Sequence, residues 1–337
     1  MSSPIKKAPL LILLSVILYS RVNAQATLPP AYPGNLVKNY TRVWTAAAPQ
    51  QNSNTLMAGT LPAVTQTTQY YDGFGRPLQA VAKQASPLGN DMVAASVYDA
   101  AGREIYKYLP FTSNVAQSGD VTNDGNFKTD PFQQQVAFYN GLLSGQPGET
   151  NVGAGGTNWA YSQNNYEASP MNRVLSSYAP GANWVGSQGT GTPHGVQQQF
   201  LTNTSTDNVQ IWNIAAWDIT QPEQNIIPTD AGAYAAGQLA KLISADEQGH
   251  QVIQFKDSYG QIVLKKEQLT ATADNGNGSA HTGWICTYYV YDDFGNLRFI
   301  ITPNVVQLID GTWSISLNLA DQLCYRFEYD ALNHLVV

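Results

Sequence analysis

Apolar and polar residues alternate with a period of two along much of this chain. Residues 78–83 and 92–98 read as strands, with Ser86-Pro87-Leu88-Gly89-Asn90 as a loop between them. Strand-like runs resume at 196–201 and 209–214. Beyond Gly232 the pattern is close to continuous: 239–244, 251–256, 261–267, 285–291, 297–302 and 324–329. One stretch has the helical period instead. Asp130 can cap it, Pro131 suits its first turn, Phe132, Val136, Tyr139 and Leu143 share a face, and Gly145 can end it. Residues 39–67 carry only a weak pattern, and residues 145–195 are rich in Gly, Asn and Ser and predict long loops. The expectation is a mainly β protein of antiparallel hairpins with one short helix.

A short phrase punctuates the strands: Tyr-Asp, two residues, Gly or Asn, then a polar residue. It stands at Tyr71-Asp72-Gly73-Phe74-Gly75-Arg76, Tyr98-Asp99-Ala100-Ala101-Gly102-Arg103, Tyr291-Asp292-Asp293-Phe294-Gly295-Asn296 and Tyr329-Asp330-Ala331-Leu332-Asn333-His334. Degenerate copies are Asp246-Glu247-Gln248-Gly249-His250 and Asp257-Ser258-Tyr259-Gly260-Gln261. The spacing is that of a hairpin turn. A type I turn followed by a left-handed residue wants Gly, or Asn as second choice, and an Asp at its start accepts backbone N–H groups within the turn. The structural residues are therefore Asp72, Gly75, Arg76, Asp99, Gly102, Arg103, Asp246, Gly249, Asp257, Gly260, Asp292, Gly295, Asp330 and Asn333.

The first residues change the compartment. Lys6 and Lys7 precede an apolar run at residues 10–18, and Val22-Asn23-Ala24 offers a cleavage point, so residues 1–24 read as a secretory signal. The run is short for a membrane span and no second one follows, so a soluble mature chain is expected, secreted or periplasmic or at the cell surface. Residues 25–37, with Pro29, Pro30 and Pro33, read as a linker. Only 12% of the 337 residues are charged, and the net charge is −7. Losing Lys6, Lys7 and Arg21 with the leader leaves 14 of 17 basic residues against 24 acidic ones, a net charge of −10. No basic patch appears, which argues against nucleic acid and anionic membranes as partners. The two cysteines, Cys286 and Cys324, each stand six residues before a repeat Asp. An oxidising compartment permits a disulfide between them, whereas an intervening strand would hold them too far apart; both alternatives stay open.

The Tyr-Asp phrases resemble those of YD-repeat (Rhs-type) proteins. Residues 70–79, Ser86-Pro87-Leu88-Gly89, residues 98–104, Tyr108-Leu109-Pro110-Phe111, residues 166–174 and Asp246-Glu247-Gln248-Gly249 resemble a domain of unknown function that precedes such repeats in secreted Bacteroidetes-type proteins. The resemblance covers most of residues 38–337 and divides them into an N-terminal domain, 38–180, and a β-rich repeat region, 181–337. It implies hairpins wound into a spiral sheet, which in related toxin-complex and Rhs proteins closes into a shell around a C-terminal effector. About six phrases at irregular spacing could not enclose a cargo. The chain therefore reads as the truncated N-terminal part of a longer protein, partnered by further repeats and an effector of its own chain. Exposed Tyr and Trp leave a glycan- or protein-binding module as the alternative, with Trp159 and Trp184 as candidates.

Nothing points to an enzyme or a cofactor. His194, His250, His281 and His334 are scattered, without zinc-ligand spacing. Gly153-Ala154-Gly155-Gly156 and Gly186-Ser187-Gln188-Gly189 lack the context of a phosphate loop, and no nucleophile elbow is present. Asp292 and Asp293 read as turn residues rather than an acid–base pair. Asp120, Thr122, Asp124 and Asn126 offer oxygens around a Gly turn, as calcium prefers, but Pro131 stands where the bidentate Glu of a calcium loop belongs. A solvated polar loop is the preferred reading there.

Overall fold

The computed structural model describes residues 28–114, 120–143, 160–181, 184, 194–215, 227–330, 332 and 334–336. The leader 1–24, part of the linker, both Gly-rich segments and Gly145, Trp159 and Asn333 lie outside the described residues.

The fold is mainly β and antiparallel. The first sheet has five strands in the order β1 (Asn39–Ala46), β2 (Val64–Tyr71), β3 (Pro77–Ala82), β4 (Met92–Ala95) and β6 (Phe111–Thr112). The second has ten. It runs from β5 (Tyr106–Tyr108) through β7 (Tyr161–Tyr166), β8 (Val174–Tyr178) and β9 (Gly195–Thr202) to β12 (Ala240–Ala245), β13 (Gln251–Lys256), β14 (Ile262–Gln268), β15 (Trp284–Tyr291), β16 (Leu297–Ile301) and β17 (Tyr325–Arg326). The hairpin β10 (Gln210–Asn213) and β11 (Thr229–Ala233) stands apart. Among the described residues a single bridge, Ser96 to Lys107, joins the two sheets, and the strand that continues from it is shared: β5 pairs with β7 and β6 with β4.

Alternation dictates the second sheet. Along β15 every second residue is buried, namely Trp284, Cys286, Tyr288 and Val290. These pack with Ile243, Ile253, Phe255, Leu264, Phe299 and Ile301 into the main core. Val209 and Leu239 cover it from the 203–239 segment, as do two helices, α3 (Pro303–Ile309) and α4 (Leu317–Leu323), through Val305, Val306, Ile309 and Ala320. The core of the first sheet is smaller and aromatic: Tyr70, Val81, Val93 and Phe111, against Phe127, Phe138 and Tyr139.

The expectations need three corrections here. Helices are four rather than one among the described residues: α1 (Ser53–Ala58), α2 (Pro131–Ala137), α3 and α4. In α2 the buried positions are Pro131, Phe132, Gln134 and Gln135; Asp130 makes no cap bond and instead accepts the Gln134 side-chain amide at 2.6 Å. The polar stretch before Gly195 is not all loop, because β7 and β8 form a hairpin within it. Its polar side chains pair across the strands, Ser177 Oγ to Asn164 Oδ1 at 2.7 Å and Asn165 Nδ2 to Ser176 Oγ at 2.9 Å. Such pairs stabilise a sheet without the apolar alternation that reveals one in a sequence.

Candidate functional site

The repeat phrases form one turn, built the same way each time. At Asp72 the backbone N–H bonds the Arg76 carbonyl at 2.9 Å and the Asp72 carbonyl accepts the Gly75 N–H at 3.1 Å. Asp72 Oδ1 accepts the N–H groups of Phe74 and Arg76, both at 2.9 Å, and Oδ2 accepts Arg76 Nε at 2.7 Å. Gly75 has φ 79°, the left-handed region that a side chain strains. Asp99 repeats every bond, with Arg103 Nε on Oδ2 at 2.8 Å and Gly102 at φ 78°. The backbone pattern recurs at Asp246, Asp257 and Asp292, with Gly249, Gly260 and Gly295 left-handed. At Asp330 the carboxylate accepts Leu332 and His334 N–H groups, both at 2.8 Å.

The residue four after the Asp decides what closes Oδ2. Arg does so at Asp72 and Asp99, Asn296 Nδ2 at Asp292 (3.2 Å) and His334 Nδ1 at Asp330 (3.0 Å). At Asp99 the Arg103 N–H is the main force holding the carboxyl below its usual range; at Asp246 and Asp330 the N–H groups of His250 and His334 do the same.

Two further turns of this kind escaped the sequence reading. Ser86 N–H bonds Asn90 O at 3.0 Å, Gly89 N–H bonds Ser86 O at 2.9 Å, and Ser86 Oγ accepts Asn90 N–H at 2.9 Å, so a serine hydroxyl replaces the carboxylate. The signal was the unchanged spacing to Gly89. At Glu167 a longer loop is closed by Arg173, whose Nε and Nη2 bond Oε2 at 2.9 and 2.7 Å; this guanidinium pulls the Glu167 carboxyl down to about 2.

The antiparallel registers place the turns at 72, 99, 167, 257, 292 and 330 along one rim, and those at 86 and 246 on the other. Neighbouring turns on the first rim touch. The Arg76 guanidinium lies 4.5 Å from the Tyr98 ring, Arg103 lies 5.1 Å from Tyr166, and Arg173 lies 4.4 Å from Phe200. Each cation thus stacks on an aromatic of the next hairpin. Tyr98 also donates its hydroxyl to Pro77 O at 2.9 Å, and Tyr291 does the same to Ile262 O at 3.2 Å. At residues 98–99 and 291–292 the Tyr-Asp pair therefore has two jobs: Asp builds its own turn, and Tyr joins that turn to the one before.

Along the C-terminal rim the arginines give way. Gln261 turns from its own Asp257 and bonds Gly295 O at 3.2 Å. A cleft of about 500 Å³ opens beside it, lined by Trp212, Tyr234, Asp257, Tyr259, Tyr291 and Phe294 among others.

Residues 42–198 match a protein family described as a domain of unknown function, DUF6443. No curated protein matches the chain in sequence. Solved structures similar to it include TcdB2–TccC3 without its hypervariable C-terminal region, at 15% identity and TM-score 0.42, over 81% of this chain and 10% of that one. TcdB2–TccC3 gives 14%, 0.41, 88% and 12%, and the Photorhabdus luminescens Tc holotoxin pore gives 13%, 0.40, 81% and 10%. The chain thus spans about a tenth of the length of those toxin-complex chains.

The remaining candidates resolve into packing. The oxygens near Asp120 do not form an open, solvated loop. They close on an internal cation, Lys128, whose Nζ lies 2.7 Å from Asp91 Oδ2, 2.6 Å from Val121 O and 2.9 Å from Asp124 Oδ1, while Asp120 accepts Thr129 N–H at 2.7 Å. A second such knot joins Lys241 Nζ to Asp207 Oδ1 at 2.8 Å and Asp274 Oδ2 at 2.7 Å, all three side chains buried. Beside it Lys266 donates to the carbonyls of Ser279 and Ala280, and burial lowers its pKa to about 8. Cys286 and Cys324 are both free: β16 separates β15 from β17, so the disulfide does not form. Burial pushes the Cys286 thiol up to about 12. It also pulls His281 down to about 3; its Nε2 lies 2.7 Å from Tyr288 Oη, which accepts the Gln210 N–H. Among the described residues no three His, Cys, Asp or Glu side chains are grouped to hold a metal, and no helix is long and apolar enough to cross a membrane. Trp184 is 41% exposed and packs on the His194 ring at 5.3 Å.

Proposed function

We propose that the chain is a non-enzymatic structural module, the N-terminal part of a secreted YD-repeat (Rhs-type) protein, in which it helps build or plug a β-shell. The observation that carries this reading is the rim, where an acidic residue builds each turn and the turns at 72, 99, 167 and 257 are tied to the next hairpin by an aromatic. That device extends a sheet by repetition, with each hairpin supplying the docking surface for its successor. The likeness to segments of long toxin-complex chains and the signal-like first residues fit it. The test is to image the native gene product at near-atomic resolution. Hairpins added beyond β17 along the same rim are expected. A particle in which β17 remains a bare edge would sink the shell reading.

A second reading, a surface-binding module, draws on the aromatic cleft between the Asp257 and Asp292 turns. Saturable quenching of tryptophan fluorescence by one member of a glycan panel would favour a glycan ligand; no quenching across the panel would leave the scaffold alone.

A further inference from the structure

Two turns of the rim frame the same slot, and only one slot is filled. At Asp72 the Arg76 guanidinium is held on three sides: by Asp72 Oδ2 at 2.7 Å, by the Phe74 ring of its own turn at 5.3 Å, and by the Tyr98 ring of the next turn at 4.5 Å. At Asp257 the three walls recur at the same positions. Tyr259 stands where Phe74 does, two residues after the Asp. Tyr291 stands where Tyr98 does, immediately before the next Asp, and makes the matching hydroxyl bond to the preceding hairpin. Asp257 Oδ1 is taken up by the N–H groups of Tyr259 and Gln261, whereas Oδ2 has no donor among the described residues. The guanidinium is missing because residue 261 is Gln, and its amide has gone to Gly295 O. Burial raises Tyr234 and Tyr291, and the charge of Asp257 adds to this at both, behind that of Tyr289 at Tyr291.

We propose that this cleft is a binding site for an arginine side chain presented by a polypeptide partner. Its walls are aromatic faces and an uncompensated carboxylate, the combination that attracts a planar cation. Asp292 and Asp293, in the next turn, add negative charge at the cleft wall. The space of about 500 Å³ takes a whole side chain together with some of the backbone that bears it. Tyr259 and Phe294, 88% and 82% exposed, flank the cleft and offer apolar surface to that backbone. A net charge of −7 draws a basic partner toward the protein. The inference stands apart from the shell reading, since the slot is complete within this chain.

Titration of the whole chain with a blocked arginine tripeptide, its citrulline twin and free arginine amide, followed by tryptophan fluorescence, tests the proposal. The arginine peptide should saturate and bind at least about tenfold more tightly than the citrulline peptide, and more tightly than the free amide. Gln261→Arg places a guanidinium in the slot from within. It should weaken the peptide about tenfold or more while the far-ultraviolet circular dichroism and melting temperature are kept or raised. Should that variant not fold, Asp257→Asn, together with Tyr259→Ala at a solvent-exposed ring, gives the same reading through loss of binding. Equal binding of arginine and citrulline peptides, undiminished binding by the variants, no saturable binding, or free amide binding as tightly as peptide would each overturn it.

Discussion

The two sheets are held together by different means. In the first, four buried apolar residues sit beside the Lys128 knot, and arginines tie the rim. In the second, a much larger apolar core does the work, and beyond the Arg173 turn of β7 and β8 its turns carry Gln, Asn and His where the first sheet has Arg. A region poor in buried apolar area has few other sources of cohesion, so directional contacts between hairpins matter more there. Where the core is large, the rim is released from that duty, and the Asp257 slot shows the result.

The largest effects should come from the buried cations. Lys241→Met leaves Asp207 and Asp274 buried without their counter-ion and should cost about 3–5 kcal/mol by denaturant unfolding. Lys128→Met should cost less, because Asp124 keeps solvent contact, whereas Asp207 and Asp274 are both fully buried. Equal losses would mean that the two knots do not differ as described. Next come the turns. Gly75→Val and Gly102→Val should each destabilise by about 1–3 kcal/mol, with Gly102 the more sensitive because a Cβ there would stand 3.2 Å from Arg76 Nη1. A neutral Gly75→Val would contradict the left-handed assignment.

Acid should act in two stages. His281 is held neutral down to about 3, whereas an unfolded histidine protonates near 6.5. Between those values the unfolded chain binds more protons, so the second sheet loses stability as pH falls from about 6.5 toward 3. On the first rim Asp99 and Glu167 are depressed carboxyls, and their contribution begins to fade only as pH drops below about 4. His281→Gln should flatten the upper part of the acid limb, read by tryptophan fluorescence, and leave the lower part in place. The smallest effect belongs to the rim contacts: a double-mutant cycle on Arg76 and Tyr98 should give a coupling of about 0.5–1 kcal/mol, and zero would remove the tie from the account.

Much of this was legible in the residues. Alternation located β13 residue for residue and most of the second sheet to within one or two positions, because its inward face is apolar. The turns were legible from two requirements alone, an acceptor at the start and a left-handed residue three later. The same requirements describe Ser86, which was passed over because its acceptor is a hydroxyl. The β7–β8 hairpin was hidden because Ser, Asn and Gln pair across it. Neither knot was visible, since Lys128 joins Asp91, and Lys241 joins Asp207 and Asp274, across more than thirty residues; Lys241, on the inward face with Ile243, was the available hint. Gln261 looked like a weak copy of Arg76, and only the rings around it show that its slot is intact.

The strand shared between the sheets also has a mechanical consequence. Tyr106–Tyr108 belongs to one sheet and Phe111–Thr112 to the other, and beyond them a single bridge at Ser96 and Lys107 closes the seam. Few hydrogen bonds cross that seam, and side chains do the joining instead: Ala95 of the first sheet packs with Tyr108 and Tyr161 of the second and with Phe132, while Gln135 bonds the carbonyls of Leu109 and Ala160. A packed seam of this kind carries load through apolar contact, and the covalent chain from 108 to 111 tethers the two halves across it.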